Sequence, residues 1–317
     1  MGTMMFTVEE VPTERGILQY RRENLTGLKC RVSCERSKRG MSAPAPMHFP
    51  MDGCPFCPGT VTEVTPTFPN GRRIHQGESV TFPNLFPFAP WHTVTVITRE
   101  HMVDLFTRKQ ISDALLGQLE SLRGRDGYPS INWNYLPSSG ASIPHPHLQG
   151  LVDYHPSTIA ECYILASHRY LIDEGRSYWE VLKEKERASP RYLFGDEIPW
   201  LASAVPLGEK EIRGILPISR LEDLEPYVDL LAEGILKVLE LYRYLNTFAF
   251  NMAIFFDSDG KDHGYSAFCS IIARINPNIT SMSDSAFMER LHRDPVILTL
   301  PEDLSQHYQA MMRKDGS

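Results

Sequence analysis

The chain has 317 residues, with 32 Lys+Arg against 39 Asp+Glu for a formal net charge of -7; 42% of residues are hydrophobic and 22% charged. This balance is that of an ordinary globular protein and excludes a disordered or fibrous one. It leaves no domain-wide basic footprint for nucleic acid, and the length suits one large domain or two moderate ones. No apolar run reaches the roughly 20 residues of a membrane span; the longest candidate, Phe248–Phe256, is interrupted by Asn251. The N-terminal MGTMMFTVEEVPTERG turns acidic before a signal-peptide core forms, and six cysteines without an export signal fit reduced thiols. The expectation is a cytoplasmic protein with no membrane and no nucleic-acid partner.

In chain order, Cys30–Cys34, Ser79–Phe82 and Thr93–Thr98 read as strands. The last has the β-branched, period-two pattern of a half-buried one. Ile111, Leu115, Leu119 and Leu122 recur at helical spacing and predict a core-facing helix over Arg108–Arg123. Tyr178–Tyr192 is charged, ends at Pro190 and reads as a solvated helix and connector. Pro199–Val205 and Arg213–Ile218 then read as strands, Leu224–Leu245 as a long helix, and Phe248–Phe256 and Ala267–Ile275 as strands. The order strand, strand, helix, strand, strand in both halves suggests a duplicated α+β unit.

Three constellations carry chemistry. Cys54-Pro-Phe-Cys57 places two thiols on a tight turn, where both can reach one tetrahedral Zn²⁺. A buried small-residue pair or a redox pair are the alternatives, but Pro58 and Gly59 argue against the helix that a thioredoxin-like CxxC would open. The second is Asn134-Tyr-Leu-Pro-Ser-Ser-Gly-Ala-Ser-Ile-Pro-His145-Pro-His147-Leu-Gln149. Its Ser/Gly loop offers backbone N–H groups to phosphate oxygens. Beyond the loop His145, His147 and Gln149 alternate and share one face of an extended strand. Pro144 and Pro146 cannot donate to a ladder and place this segment at a strand start or sheet edge. An imidazole here can attack phosphorus while an amide holds a non-bridging oxygen. The third is the set of single histidines, among which His101, just after a strong strand, is one candidate to approach the CxxC turn.

Together these segments resemble the galactose-1-phosphate uridylyltransferase-like branch of the histidine-triad superfamily. Gly140-Ala-Ser-Ile-Pro-His-Pro-His-Leu-Gln149 resembles that family's G-[CA]-S-x-P-H-P-H-x-Q signature, and Asn84-Leu-Phe-Pro-Phe-Ala-Pro its nucleotide-contacting strand. Cys54–Cys57 resembles its zinc knuckle, and Arg21–Gly27, continuing to Arg36 and Arg39, its N-terminal strand and phosphate-binding loop. The resemblance implies an α+β fold of two histidine-triad halves, each an antiparallel sheet with packed helices, here taken as residues 15–165 and 166–317. It implies one structural zinc held by Cys54, Cys57, His101 and His145. It makes His147 the nucleophile that takes up a nucleotidyl group, with Gln149 and Ser142 on phosphate oxygens and Gly140 allowing the backbone to approach them. Asn84 and Asn134 would contact the nucleotide, and Arg36 and Arg39 would offset its charge. Ping-pong transfer of UMP between a nucleotide sugar and a sugar 1-phosphate, in a homodimer serving galactose metabolism, follows from the same resemblance.

The second half departs from the family's pattern. Phe248–Phe256 and Phe268–Pro277 contain no histidine, so no second metal is expected, and the sugar-contacting segment Ser281–Leu291, with Phe287–Glu289, does not match. Two acceptors therefore stay open, a sugar 1-phosphate and, in a nucleotide-sugar or dinucleotide phosphorylase, inorganic phosphate. A hydrolase would carry a third histidine where Gln149 stands. A non-catalytic zinc scaffold would not need His147, Gln149, Ser142 and Asn134 together.

Overall fold

Residues 4–14, 16–39, 51–258, 263–275, 285 and 288–315 are described by the structure, a computed structural model, with side chains for all but 38, 39 and 315. Strands β1 (Phe6–Thr13) and β2 (Gly16–Glu23) form a hairpin, β3 (Lys29–Val32) follows, and a 3-10 turn spans Cys34–Arg39. The first half continues through α1 (Val61–Val64), β4 (Ile74–Gln76), β5 (Ser79–Pro83), β6 (Trp91–Val96), α2 (Arg108–Leu122), β7 (Tyr128–Tyr135) and β8 (His147–Asp153). Helices α3 (Thr158–Glu174) and α4 (Tyr178–Arg187) lead to β9 (Tyr192–Phe194), β10 (Trp200–Ala202), β11 (Ile212–Ile215), α5 (Val228–Tyr244), β12 (Ala249–Phe255) and β13 (Phe268–Arg274). Strand β14 (Val296–Ile297) pairs parallel with β3, and α6 (Pro301–Asp315) ends the described chain.

One antiparallel sheet runs β4-β5-β6-β8-β7-β12-β13-β11-β10-β9. In each half two strands, a helix and two strands occupy matching places on either side of the β7–β12 seam, so the duplicated α+β architecture read from the sequence is borne out. The halves share this sheet edge to edge. A second sheet, β1-β2-β3-β14, was not anticipated, because its exposed hairpin lacks a buried stripe and β14 is two residues long.

Period-two alternation divides the large sheet into two faces. In β7 the side chains of Ile131, Trp133 and Tyr135 are buried and those of Asn132 and Asn134 half-buried on the other face. Cross-strand register carries the division outward: Leu148 pairs with Trp133 and Gln149 with Asn132, while Asn251 of β12 lies opposite Asn134. Helices α2 and α5 pack together on the apolar face. A capping box starts α2: Thr107 Oγ1 accepts from Gln110 N at 3.2 Å and Gln110 Oε1 from Thr107 N at 2.9 Å. Over the second half, the other face is covered by α3 and α4, with Trp179 stacked on Phe268 at 5.3 Å between ring centroids. That face is left to the knuckle and loops only in the first half.

The expectation of a solvated helix at Tyr178–Tyr192 is corrected. In α4 Tyr178, Trp179, Val181 and Glu186 are buried, and the Glu186 carboxylate pairs with Arg191 at 2.8 Å. The charges masked an amphipathic helix whose apolar side covers the sheet. Arg21, in the segment compared with a phosphate-binding loop, is buried and pairs with Glu302 of α6 at 2.9 Å, which gives it a structural role.

Trp200 of β10 sits where two glycines let it in: a Cβ on Gly234 of α5 would lie 2.1 Å from its Nε1, and one on Gly214 2.7 Å from its ring. Gly234→Ala is therefore expected to destabilise by about 2 kcal/mol through overpacking, against the usual gain of alanine in a helix. A lower urea midpoint at unchanged m-value would show it.

Candidate active site and metal centre

The site is built where β8 begins, at a central strand rather than an edge. Pro144 and Pro146 delay ladder pairing, and the strand starts at His147. His145, just before it, turns into the protein and is fully buried. Its Nδ1 lies 3.8 Å from Cys54 Sγ and 3.7 Å from Cys57 Sγ, and His101 Nδ1 lies 3.5 Å from Cys57 Sγ. All four ligand atoms fall within 4.8 Å of one another. A tetrahedral ion with the usual metal–sulfur and metal–nitrogen lengths separates such atoms by roughly 3.3–3.8 Å, so the set fits a metal ion nearly as it stands.

The surrounding chemistry agrees. His145 Nε2 donates to Thr98 O at 2.8 Å, which fixes the tautomer and leaves Nδ1 to bind. Burial first, and then the imidazoles of His101 and His147, lower the His145 pKa to about 4, so the ring is neutral. Burial and the adjacent Cys54 push the Cys57 thiol up to about 11. A bound cation would reverse that and hold both sulfurs as thiolates. Among the described residues this is the one group placed to hold a metal.

Beside it lies a cavity of about 510 Å³ lined by residues that include Phe56, Asn84, Phe88, Asn134, Gly140, Ser142, His147 and Gln149. His147 Nδ1 donates to His145 O at 2.8 Å. Its Nε2, with no partner among the described residues, is left to the cavity, and burial lowers the ring's pKa and keeps it neutral. Phe56, between the two knuckle cysteines, packs edge-on against His147 at 5.1 Å and against Phe82 at 5.7 Å. The cysteine–histidine group thus contacts His147 twice, through the backbone of His145 and through the ring of Phe56. Gly140 has φ +92° with open space where a Cβ would point, so its backbone turns past the cavity in a conformation other residues resist.

The structure brings together ten of the twelve predicted site residues around the cysteine–histidine group and the cavity, Cys54, Cys57, His101, His145, Asn84, Asn134, Gly140, Ser142, His147 and Gln149, and adds Phe56 to them. Arg36 is exposed on the turn after β3 and does not line the cavity, and the Arg39 side chain lies outside the described residues. Of the segment Ser281–Leu291, residues 281–284 and 286–287 also lie outside them. Sequence reasoning missed His92, which is buried with Nε2 2.9 Å from Gln149 Oε1 and 3.0 Å from Asn84 Nδ2. Burial lowers its pKa. One ring nitrogen thus links two cavity amides, donating to Gln149 in one tautomer and accepting from Asn84 in the other. The signal was present in its period-two relation to Val94 and Val96 on β6.

No protein-family model matches the sequence. A protein of Archaeoglobus fulgidus described as uncharacterized is 29% identical over 264 residues, covering 80% of this chain and 79% of that protein. Among solved structures, a uridylyltransferase mutant superposes with a TM-score of 0.70 at 19% identity, over 93% of this chain and 98% of that one. The ADP-glucose phosphorylase of Arabidopsis thaliana, solved with ADP-glucose, gives 0.71 at 16% identity, over 92% and 98%. No helix among the described residues is long and apolar enough to cross a membrane. The resemblance read from the sequence is borne out at the level of fold: this chain has the duplicated histidine-triad fold of the uridylyltransferase and ADP-glucose phosphorylase structures.

Proposed function

We propose that the protein is a nucleotidyltransferase that works through a covalent nucleotidyl-His147 intermediate. One observation carries this reading: a neutral imidazole, tied through Nδ1 to a backbone carbonyl, turns Nε2 into a cavity lined by amide and hydroxyl donors. The Nε2 lone pair attacks the α-phosphorus of a nucleotide sugar. An N–P bond forms, the bond from that phosphorus to the bridging oxygen breaks, and sugar 1-phosphate leaves with the electron pair. The ring then carries Nδ1–H and a positive charge, which His145 O stabilises. Gln149, Ser142 and Asn134 supply donors for the equatorial oxygens as charge builds on them. A phosphate oxygen of the second substrate reverses the step and frees His147.

Zinc is the ion we assign to Cys54, Cys57, His101 and His145, because two thiolates and two imidazoles in a closed tetrahedral set suit it. Held there it would supply rigidity, and the nucleophile His147 is not among the four residues that would hold it. Uridylyl transfer to a sugar 1-phosphate is the reading we place first; adenylyl transfer to phosphate uses the same intermediate. The fold likeness supports both equally, at TM-scores of 0.70 and 0.71. Intact-protein mass spectra after incubation with UDP-sugars and ADP-sugars test the proposal. The expected result is a mass gain of one nucleoside monophosphate per chain, mapped to His147. A chain that stays unmodified with every donor would overturn it.

A further inference from the structure

The seam between the halves carries a chain of hydrogen bonds that ends at the cavity. Asn251 of β12 lies directly opposite Asn134 of β7, and Arg274 of β13 is its diagonal neighbour on the same face. Arg274 Nη1 donates to Asn251 Oδ1 at 2.7 Å, and Asn251 Nδ2 donates to Asn134 Oδ1 at 2.6 Å and to Ser139 O at 2.9 Å. We propose that Asn251 and Arg274 are positioning residues that hold the Asn134 amide with its amino group toward the phosphate oxygens of a bound nucleotide. The inference rests on the nucleotidyl-transfer reading above and gives the second half a part in it.

The orientation of each amide follows from the ends of the chain. A guanidinium only donates, so the Asn251 atom facing Arg274 is the carbonyl oxygen. A backbone carbonyl only accepts, so the Asn251 atom facing Ser139 O is the amino nitrogen, and the two assignments agree. That amino group then requires an oxygen from Asn134. The Asn134 Nδ2, which has no partner among the described residues, is left to the cavity that Asn134 lines. An unconstrained amide would be free to turn its oxygen toward an anion, which repels it. The chain instead begins at a cation and runs donor to acceptor toward the anion site, so each bond polarises the next in the same sense. The bond to Ser139 O also anchors the turn that leads into Gly140 and Ser142.

Asn251→Asp tests this in the zinc-loaded, full-length protein. The carboxylate matches the amide in shape and still accepts from Arg274, but it cannot donate, so Asn134 should turn its amino group toward it and show its oxygen to the cavity. Calorimetry with UMP and AMP should find the monophosphate that the wild type binds held about tenfold to hundredfold more weakly, the loss of one hydrogen bond to a charged group. Tm and zinc content should stay near wild type. In an Asn134→Ala background the same substitution should change affinity by less than about threefold. Unchanged affinity in Asn251→Asp, a full additive loss in the double variant, or a loss that follows a fall in Tm or zinc would each overturn the relay. Failure of the wild type to bind either monophosphate would overturn the nucleotide reading beneath it.

Discussion

Replacing His147 with glycine is expected to lower nucleotidyl transfer by about 10⁴-fold or more while the protein keeps its zinc. The size of the effect follows from the route. With the imidazole gone there is no group placed to take up the nucleotidyl unit, and the two half-reactions would have to become one direct displacement between two bound anions. The donors of Gln149, Ser142 and Asn134 would remain, so substrate affinity should fall far less than turnover. The structural cost is small in comparison. His147 lines the cavity rather than the core; its ring contributes one hydrogen bond to His145 O and an edge contact with Phe56. A loss of about 1–2 kcal/mol in stability is expected. Steady-state transfer, intact mass and bound zinc measured on the same sample separate the roles. A variant that loses zinc along with activity would place His147 among the ligands, and one that keeps turnover would remove it from the mechanism.

What the sequence made legible depended on whether the signal was local. Helix α2 and strand β6 are visible because their apolar residues repeat at 3.6 and 2 residues within one segment, although β6, covered on both faces, is buried from His92 to Val96 rather than half-buried as its alternation suggests. The HPH segment is visible because spacing alone puts His147 and Gln149 on one face. Strand β7 was missed although Ser130, Asn132 and Asn134 alternate with Ile131, Trp133 and Tyr135. Helix α3 was missed despite Ser157 at its N-cap and Gly175 at its C-cap, and α6 despite Pro301 in its first turn and Leu304, Tyr308 and Met311 at helical spacing. His92, Phe56 and Asn251 belong to a different category. Their places depend on which strand lies beside which, and on a knuckle folded against a strand some ninety residues away in sequence. No local pattern encodes that. Asn84 entered only through the resemblance, and His101 was before it no more than one candidate among the single histidines, for the same reason.

Removing the metal should be felt at the nucleophile before it is felt by the fold. The segment carrying Cys54, Phe56 and Cys57 is short, and its buried contacts are Phe56, Phe82, Val61, Val94 and Val96, a small cluster apart from the main core. Cys57→Ser weakens one of the four ligands and should drop bound zinc from one per chain to a small fraction, since soft thiolate ligands hold this ion. The main sheet and helices do not depend on the knuckle, so the loss in global stability should be about 2–4 kcal/mol, well below the roughly 10–16 kcal/mol by which zinc binding folds an isolated finger. Local opening is another matter. His145 O fixes the tautomer of His147 and Phe56 fixes its ring plane, and a displacement of about 1 Å in a reacting group is enough to cost roughly 100-fold. Transfer should therefore fall about 100-fold while circular dichroism changes little. Hydrogen exchange should rise first in residues 51–66 and at the start of β8. If transfer instead survives stoichiometric loss of zinc, the knuckle does not position His147, and the brace inferred from Phe56 and His145 is wrong.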